Sequence, residues 1–327
     1  MKLSDKLIRL IFIGFLIYAA AEISAMGWDL FAPDTRPWPR DPGLAQRLNE
    51  HVRKLSEETG DRSISRYSRL EQAAGYIIGQ LHSYGCDVRL QQYYAEGKRV
   101  ENIIFRKTGS KAPGEFIVAG AHYDTYFGPG ADDNASGVAG LLELARMLQK
   151  GDVDRSVELA FFVNEEEPFF KTENMGSRVF AREAKQAGKD IKAAIIFDMI
   201  GYYTNRINSQ RYFPLSGFLL PHKGNFIAIS ANSQFRQLAE RLQKSFRRGS
   251  ASFPVKVLIS DFDPSVNSSD HWSFWQEGYP AVMVSDTDFL RNTHYHTSSD
   301  TWETLDFSSM ACVVEGFYQS ILELARK

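Results

Sequence analysis

The chain has 327 residues, 43% of them hydrophobic and 24% charged, with a formal net charge of −2. This is the composition of a globular protein with a substantial core, folded as one large α/β domain or two smaller ones. There is no basic field, so nucleic acid is excluded as an expected partner.

The first elements concern targeting. Lys2, Lys6 and Arg9 form a positive region, Leu10 to Ala21 is an unbroken apolar run, and small residues follow at Ala19-Ala20-Ala21 and Ser24-Ala25. This is the layout of a secretory signal peptide over 1–25. A retained membrane anchor over the same residues is the alternative, although the run falls short of the roughly 20 residues a spanning helix needs. An exported protein is expected, periplasmic or extracellular, with membrane association if the segment is retained. Residues 26–42 read as a linker or extended arm, and 43–327 as one folded domain. The two cysteines, Cys86 and Cys312, permit a disulfide in that setting without requiring one.

Helical spacing covers Leu44 to Glu58 and Arg66 to Tyr84, with Gly85 as a stop. Val88 to Leu90 and Val100 to Phe105 read as a hairpin or neighbouring strands. A β–α alternation follows. Strands are expected at Glu115 to Ala121, Ser156 to Val163, Ala193 to Phe197, Phe226 to Ser230, Val255 to Ile259 and Ala281 to Val284. Helices are expected at Val138 to Leu148, Ser177 to Ala187, Gln234 to Phe246 and Phe307 to Arg326. Such alternation predicts a mostly parallel, helix-covered sheet. The aromatic stretch Gly201 to Gly224 interrupts it and reads as a wall of a functional site.

Ligands of open parallel sheets bind beyond the carboxyl ends of the strands. His122, Glu165-Glu166 and Asp198 each fall at such an end. His122-Tyr123-Asp124, the glycine-rich loop Gly130-Ala131-Asp132-Asp133-Asn134 and His294-Tyr295-His296-Thr297 add imidazoles and carboxylates. These are the side chains that hold zinc-like ions, and together they point to metal-assisted hydrolysis.

These motifs, with Asn164-Glu165-Glu166 and His296-Thr297-Ser298-Ser299-Asp300-Thr301, resemble those of the co-catalytic zinc aminopeptidases. That family includes bacterial leucyl aminopeptidases, glutamate carboxypeptidase-like enzymes and glutaminyl cyclases. The resemblance covers roughly residues 70–325. It implies an α/β fold: a single three-layer domain, with a central mixed, mostly parallel sheet of about eight strands and helices on both faces. Residues 43–327 would then be a zinc-peptidase catalytic domain. The implied activity is hydrolysis of N-terminal residues from peptides with a free N-terminus. The cofactors would be two Zn2+, replaceable by Mn2+ or Co2+.

Carried over by residue, the resemblance gives His122 and Asp198 to one metal and Glu166 and His296 to the other. Asp132 would bridge them, Asp133 would follow it through a cis peptide, and Glu165 would be the general base. Asp124 would accept the free N–H of His122 and fix its tautomer. The chain departs from the pattern at Val266, where close bacterial relatives place an oxyanion-holding Tyr ahead of Ser269-Asp270-His271. Tyr295, Tyr123 or a metal alone are the candidates to replace it. Asp270 and His271 either support the ligands or serve packing, and His294 reads as a pocket or support residue. Glutaminyl cyclase-like and carboxypeptidase-like chemistry are the alternatives among enzymes, and a non-catalytic scaffold the alternative outside them.

Overall fold

The computed structural model describes residues 13–14, 39–213, 220–250 and 253–327. The expected signal or anchor segment, apart from those two residues, and most of the expected linker lie outside the described residues. Among the described residues, no helix is long and apolar enough to cross a membrane.

Two units partition the chain. One takes in residues 1–35 and 204–225. Its described part is held by turns, with the Thr204 amide donating to Gly224 O at 2.8 Å and the Gln210 amide to His222 O at 3.1 Å. The segment expected as a site wall is therefore divided at Thr204. The other unit, 36–203 and 226–327, carries the sheet.

That unit opens with α1 (Leu44–Arg53), which continues as a wider π-type turn over Lys54–Thr59, then α2 (Tyr67–Ser83). The hairpin β1 (Val88–Ala95) and β2 (Lys98–Lys107) leads to β3 (Ala112–His122), α3 (Gly137–Leu148), β4 (Arg155–Phe162), α4 (Gly176–Gln186) and β5 (Asp190–Phe197). Then come β6 (Ile227–Ala231), α5 (Arg236–Gly249), β7 (Val255–Ile259), α6 (His271–Gln276), β8 (Ala281–Ser285) and α7 (Phe307–Ala325). The strands form one 8-stranded sheet in the order β1-β2-β4-β3-β5-β8-β6-β7. It is mixed: β4, β3, β5 and β8 run parallel, as do β6 and β7. The β1–β2, β2–β4 and β6–β8 pairs are antiparallel. Each expected strand and long helix is present within a few residues. The short helix α6 was not expected, because His271–Gln276 spans too few residues to show a period.

Side-chain alternation sends the strands into two cores. Val157, Leu159 and Phe161 of β4, with Ile117 and Ala119 of β3, pack with α1, α2, α3, α5 and α7. Ala160 and Phe162, with Val118, meet Phe180 of α4 and Phe274 of α6. Both faces of the central strands are dry, which is why those strands read as continuous apolar runs rather than alternating ones. The end of the chain is anchored by a cap: the Asp306 side chain accepts from the Ser308 and Ser309 amides at the start of α7.

One charged group is buried in the first core. Glu143 of α3 is fully buried. Its Oε2 accepts from Arg47 Nε at 2.9 Å and Arg146 Nε at 2.9 Å, while Oε1 faces His51 Nε2 at 3.5 Å. Burial pushes this carboxyl up, but the bonds from His51, Arg146 and Arg47 outweigh it and bring it down to about 2.

Because β4, β3 and β5 are parallel neighbours, their carboxyl ends share one edge. His122 closes β3, Asn164-Glu165-Glu166 follows β4, and Asp198 follows β5.

Candidate metal centre

The single connection between β3 and α3 brings the first donors together. His122 is buried, and its Nδ1 lies 3.3 Å from the Asp124 carbonyl and 3.6 Å from Asp124 Oδ1. A proton on Nδ1 satisfies that side and leaves the Nε2 lone pair facing inward. Across from it, His122 Nε2 lies 3.3 Å from Asp133 Oδ1 and 3.5 Å from Asp198 Oδ1. The other oxygen of Asp133 faces a second imidazole, with Oδ2 3.0 Å from His296 Nε2. Glu166 Oε1 completes that group at 3.2 Å from His296 Nε2. Three-residue donor sets result: His122, Asp133 and Asp198; Asp133, Glu166 and His296; and His122 with Glu165 and Glu166.

Asp133, not Asp132, therefore occupies the place between the two histidines. Asp132 turns the other way. Its Oδ1 accepts from the Gly201 amide at 2.9 Å and its Oδ2 from Asn292 Nδ2 at 2.7 Å. Adjacent residues on a tight loop point to opposite sides, so only one of the pair can reach the histidines. The cis peptide lies one residue later than expected, at Asp133–Asn134. Asn134 ties the loop to β5: its Nδ2 donates to Phe197 O at 2.8 Å and its Oδ1 accepts from the Met199 amide at 3.2 Å.

The unmet bonding of the donor set matches what zinc requires. His122 Nε2, Glu166 Oε1 and His296 Nε2 are buried and have no hydrogen-bond partner. Each such atom costs about 1–3 kcal/mol if nothing satisfies it. A tetrahedral ion with bonds of about 2.0–2.1 Å holds its donors about 3.3–3.4 Å apart, close to the separations above. Imidazole nitrogens and carboxylate oxygens are ordinary zinc donors, so the residues present fit the ion.

Electrostatics agree. Burial, Glu166 and Asp198 push the Glu165 carboxyl well above the usual carboxylate range, against the pull of His122. Burial and Asp133 raise Glu166 to about 8. Burial opposes the charged form of His296, but bonds to Asp133 and Glu166 outweigh it and raise the imidazole to about 10. Without metal, the cluster retains protons where a cation would otherwise compensate its acids.

The supporting residues are firmly built. Asp124 accepts the Glu165 amide on Oδ1 and the Glu166 amide on Oδ2, both at 3.1 Å, so one carboxylate positions His122 and the glutamate pair together. Asp300 accepts the Asp132 amide at 2.9 Å and the Asp133 amide at 3.1 Å. Arg62, 0% exposed, was not anticipated. Its side chain donates to the carbonyls of Tyr123, Leu55, Gly60, Pro129 and Gly130, and its amide donates to Thr125 Oγ1. It thereby clamps both ends of the loop between His122 and Asp133. Gly130 sits at φ +57 and a Cβ there would meet Asp133 O at 2.3 Å, so only glycine lets the clamp close. Left-handed backbone at Asn164, Met199 and His296 marks three further residues at or beside the donors.

The remaining candidates sort by contact. The Tyr123 hydroxyl donates to Glu101 O at 2.8 Å and is committed away from the cluster. Tyr295 stacks on His296, ring centroids 3.7 Å apart, and Tyr126 lies 4.7 Å from the same imidazole. Val266 is buried and its carbonyl meets His271 Nε2 at 2.7 Å. Burial holds the His271 imidazole down at about 4, so it is neutral and packs edge-on against Trp275. Burial raises Asp270 to about 7. His294 Nδ1 pairs with Ser299 Oγ at 2.8 Å, outside the donor sets.

Residues 102–320 match Peptidase family M28. The chain belongs to this peptidase family. The Escherichia coli K12 protein YfbL is similar at 35% identity, over 86% of this chain and 90% of that one. Leucine aminopeptidase 1 of Arthroderma otae is similar at 27% identity, over 88% of this chain and 79% of that one. Among solved structures, the zinc aminopeptidase BSAP from Bacillus subtilis superposes with a TM-score of 0.69 at 14% identity, covering 90% of this chain and 97% of that one. A Bacteroides thetaiotaomicron glutaminyl cyclase does so with a TM-score of 0.65 at 18% identity, covering 85% and 97%. An M28 chain with this sheet is a metallopeptidase-type hydrolase acting on peptides, and its α/β fold is shared with that zinc aminopeptidase and that glutaminyl cyclase.

Proposed function

We propose that this M28 chain is a two-zinc aminopeptidase that removes N-terminal residues from peptides with a free amine. The observation that carries the reading is the division of Asp133, with one oxygen toward His122 and Asp198 and the other toward Glu166 and His296. Two zinc ions bound there would supply Lewis acidity toward the substrate carbonyl and lower the pKa of water. Mn2+ or Co2+ would substitute in vitro.

The chain's own residues do the rest. Glu165 is buried beside the donor groups with its carboxyl raised. In this role it takes a proton from the attacking water and returns it to the leaving amine. Asp124 holds the Glu165 amide and so fixes where the base stands. The charged N-terminal segment and the apolar run after it support export as part of the same proposal.

The test is a zinc-loaded, chelator-controlled assay over free, N-acetylated and N-terminal-Gln peptides. Free peptides are expected to be cleaved, and acetylated ones poorly. Equal cleavage of blocked and free peptides would overturn the reading. Cyclisation of the Gln peptide without hydrolysis would assign the site to cyclase chemistry instead.

A further inference from the structure

When water adds to a peptide carbonyl, a C–O bond forms and the carbonyl electron pair moves onto oxygen. A donor placed where that charge develops stabilises the transition state more than the resting amide. Several donors around the cluster are already engaged. Tyr123 donates to Glu101 O, Tyr203 to Ile200 O and Tyr93 to Asn174 O. Asn292 Nδ2 donates to Asp132 Oδ2 and the Thr297 hydroxyl to His294 O, both at 2.7 Å. Val266 is apolar and supplies none.

Two tyrosine rings lie on one of the donor imidazoles. Tyr295 stacks on His296 with ring centroids 3.7 Å apart and planes 18° from parallel, and Tyr126 sits at 4.7 Å and 31°. Neither hydroxyl has a hydrogen-bond partner among the described residues. Their settings differ. Tyr126 is 47% exposed, so water competes for its hydroxyl. Tyr295 is half-buried, and Phe289 packs against the same ring at 5.9 Å, so two contacts hold the phenol in place.

The stack also fixes which space the phenol borders. His296 Nε2 faces Asp133 and Glu166 at 3.0 and 3.2 Å, so a ring lying nearly parallel on that imidazole flanks the position between those donors. Burial, and then the carboxylates of Asp133 and Glu166, keep the phenol in its protonated, donating form. We propose that the Tyr295 hydroxyl donates a hydrogen bond to the substrate carbonyl oxygen as that oxygen becomes anionic. This rests on the aminopeptidase reading. When the tetrahedral species collapses, the electron pair returns to re-form C=O, the C–N bond breaks, and the nitrogen takes the proton held by Glu165. Tyr295 keeps its own proton throughout.

The test compares wild type with Tyr295→Phe, as the zinc-loaded full chain acting on Leu-Gly-Gly. Phenylalanine retains the stacked ring and removes only the hydroxyl, so zinc content is expected to be unchanged. The expected result is a fall in kcat of about 10²-fold, the lower end of what one oxyanion donor is worth, with KM within about twofold, the pattern of a contact made only in the transition state. A second readout needs no turnover. The phosphonate analogue of leucine, whose tetrahedral anionic group mimics the charged intermediate, should bind Tyr295→Phe about 10-fold or more weakly by calorimetry, while leucinol binds within about twofold. A kcat and a phosphonate affinity near wild type in Tyr295→Phe would overturn the inference alone, as would an equal loss of phosphonate and leucinol binding, or losses found in Tyr126→Phe in place of Tyr295→Phe. Failure of the loaded wild type on every free peptide would overturn the aminopeptidase reading and the inference with it.

Discussion

Glu143 and the donor cluster are both buried acidic groups in the same unit, and they are built on opposite plans. Around Glu143 the protein supplies its own cations, and the carboxyl is pulled down to about 2. Around Asp133 the acids Glu165, Glu166 and Asp198 outnumber the two imidazoles, and Glu166 is raised to about 8. Ring nitrogens that could be satisfied by the protein are left facing each other's acids instead. A buried acid with its counter-charge in place is part of the architecture. A buried acid cluster short of positive charge is a site waiting for a cation.

Mutations should separate the two plans. Glu165→Gln is expected to retain zinc while kcat falls by about 10²–10⁴, the usual worth of a positioned general base; turnover near wild type would remove Glu165 from that role. Glu143→Gln should do the reverse. It is expected to lower unfolding stability by about 3–5 kcal/mol, the range for breaking a buried ion pair, with the zinc-loaded kcat unchanged. Denaturant melts and kcat measured side by side check both, and a matched loss of kcat in the two variants would erase the contrast.

pH should separate them further. Glu143 is depressed on folding, so its contribution is complete above pH 4.5 and is lost as pH falls through about 2. Glu166 and His296 are raised, to about 8 and about 10. Their contribution is complete below their unfolded values and is lost as pH rises through those folded ones. Metal-free protein should therefore lose melting temperature between pH 6 and pH 9, and zinc should flatten that slope. A metal-free melting temperature that rises over this interval would contradict the charge deficit.

Arg62 offers a finer test. Arg62→Lys keeps the charge but cannot span five carbonyls. It is expected to weaken zinc binding about 10–100-fold, as loss of a residue that orients metal ligands does. Chelator competition measures this, and unchanged zinc affinity with only a lowered melting temperature would reduce Arg62 to packing.

The sequence disclosed these features unevenly. β3, β4 and β5 are buried on both faces, so their apolar runs and the polar residues that end them were visible as one pattern. That pattern singled out His122, Glu165, Glu166 and Asp198 without any coordinates. The choice between Asp132 and Asp133 was not legible, because adjacent acids look alike until the backbone decides which one turns toward the histidines. Arg62 was invisible for a related reason: its partners are main-chain carbonyls, which leave no trace in residue types. α6 escaped because a helix of six residues shows no period.

Asp133 faces both histidines and Asp132 faces neither, so Asp133 is the residue expected to join two metal positions. Zinc content per chain, measured by atomic emission on wild type, Asp133→Ala and Asp132→Asn after equilibration with excess zinc and desalting, tests it directly. Two zinc ions are expected in wild type, two in Asp132→Asn and fewer than one in Asp133→Ala. Two tightly held ions in Asp133→Ala, or none in wild type, would contradict it.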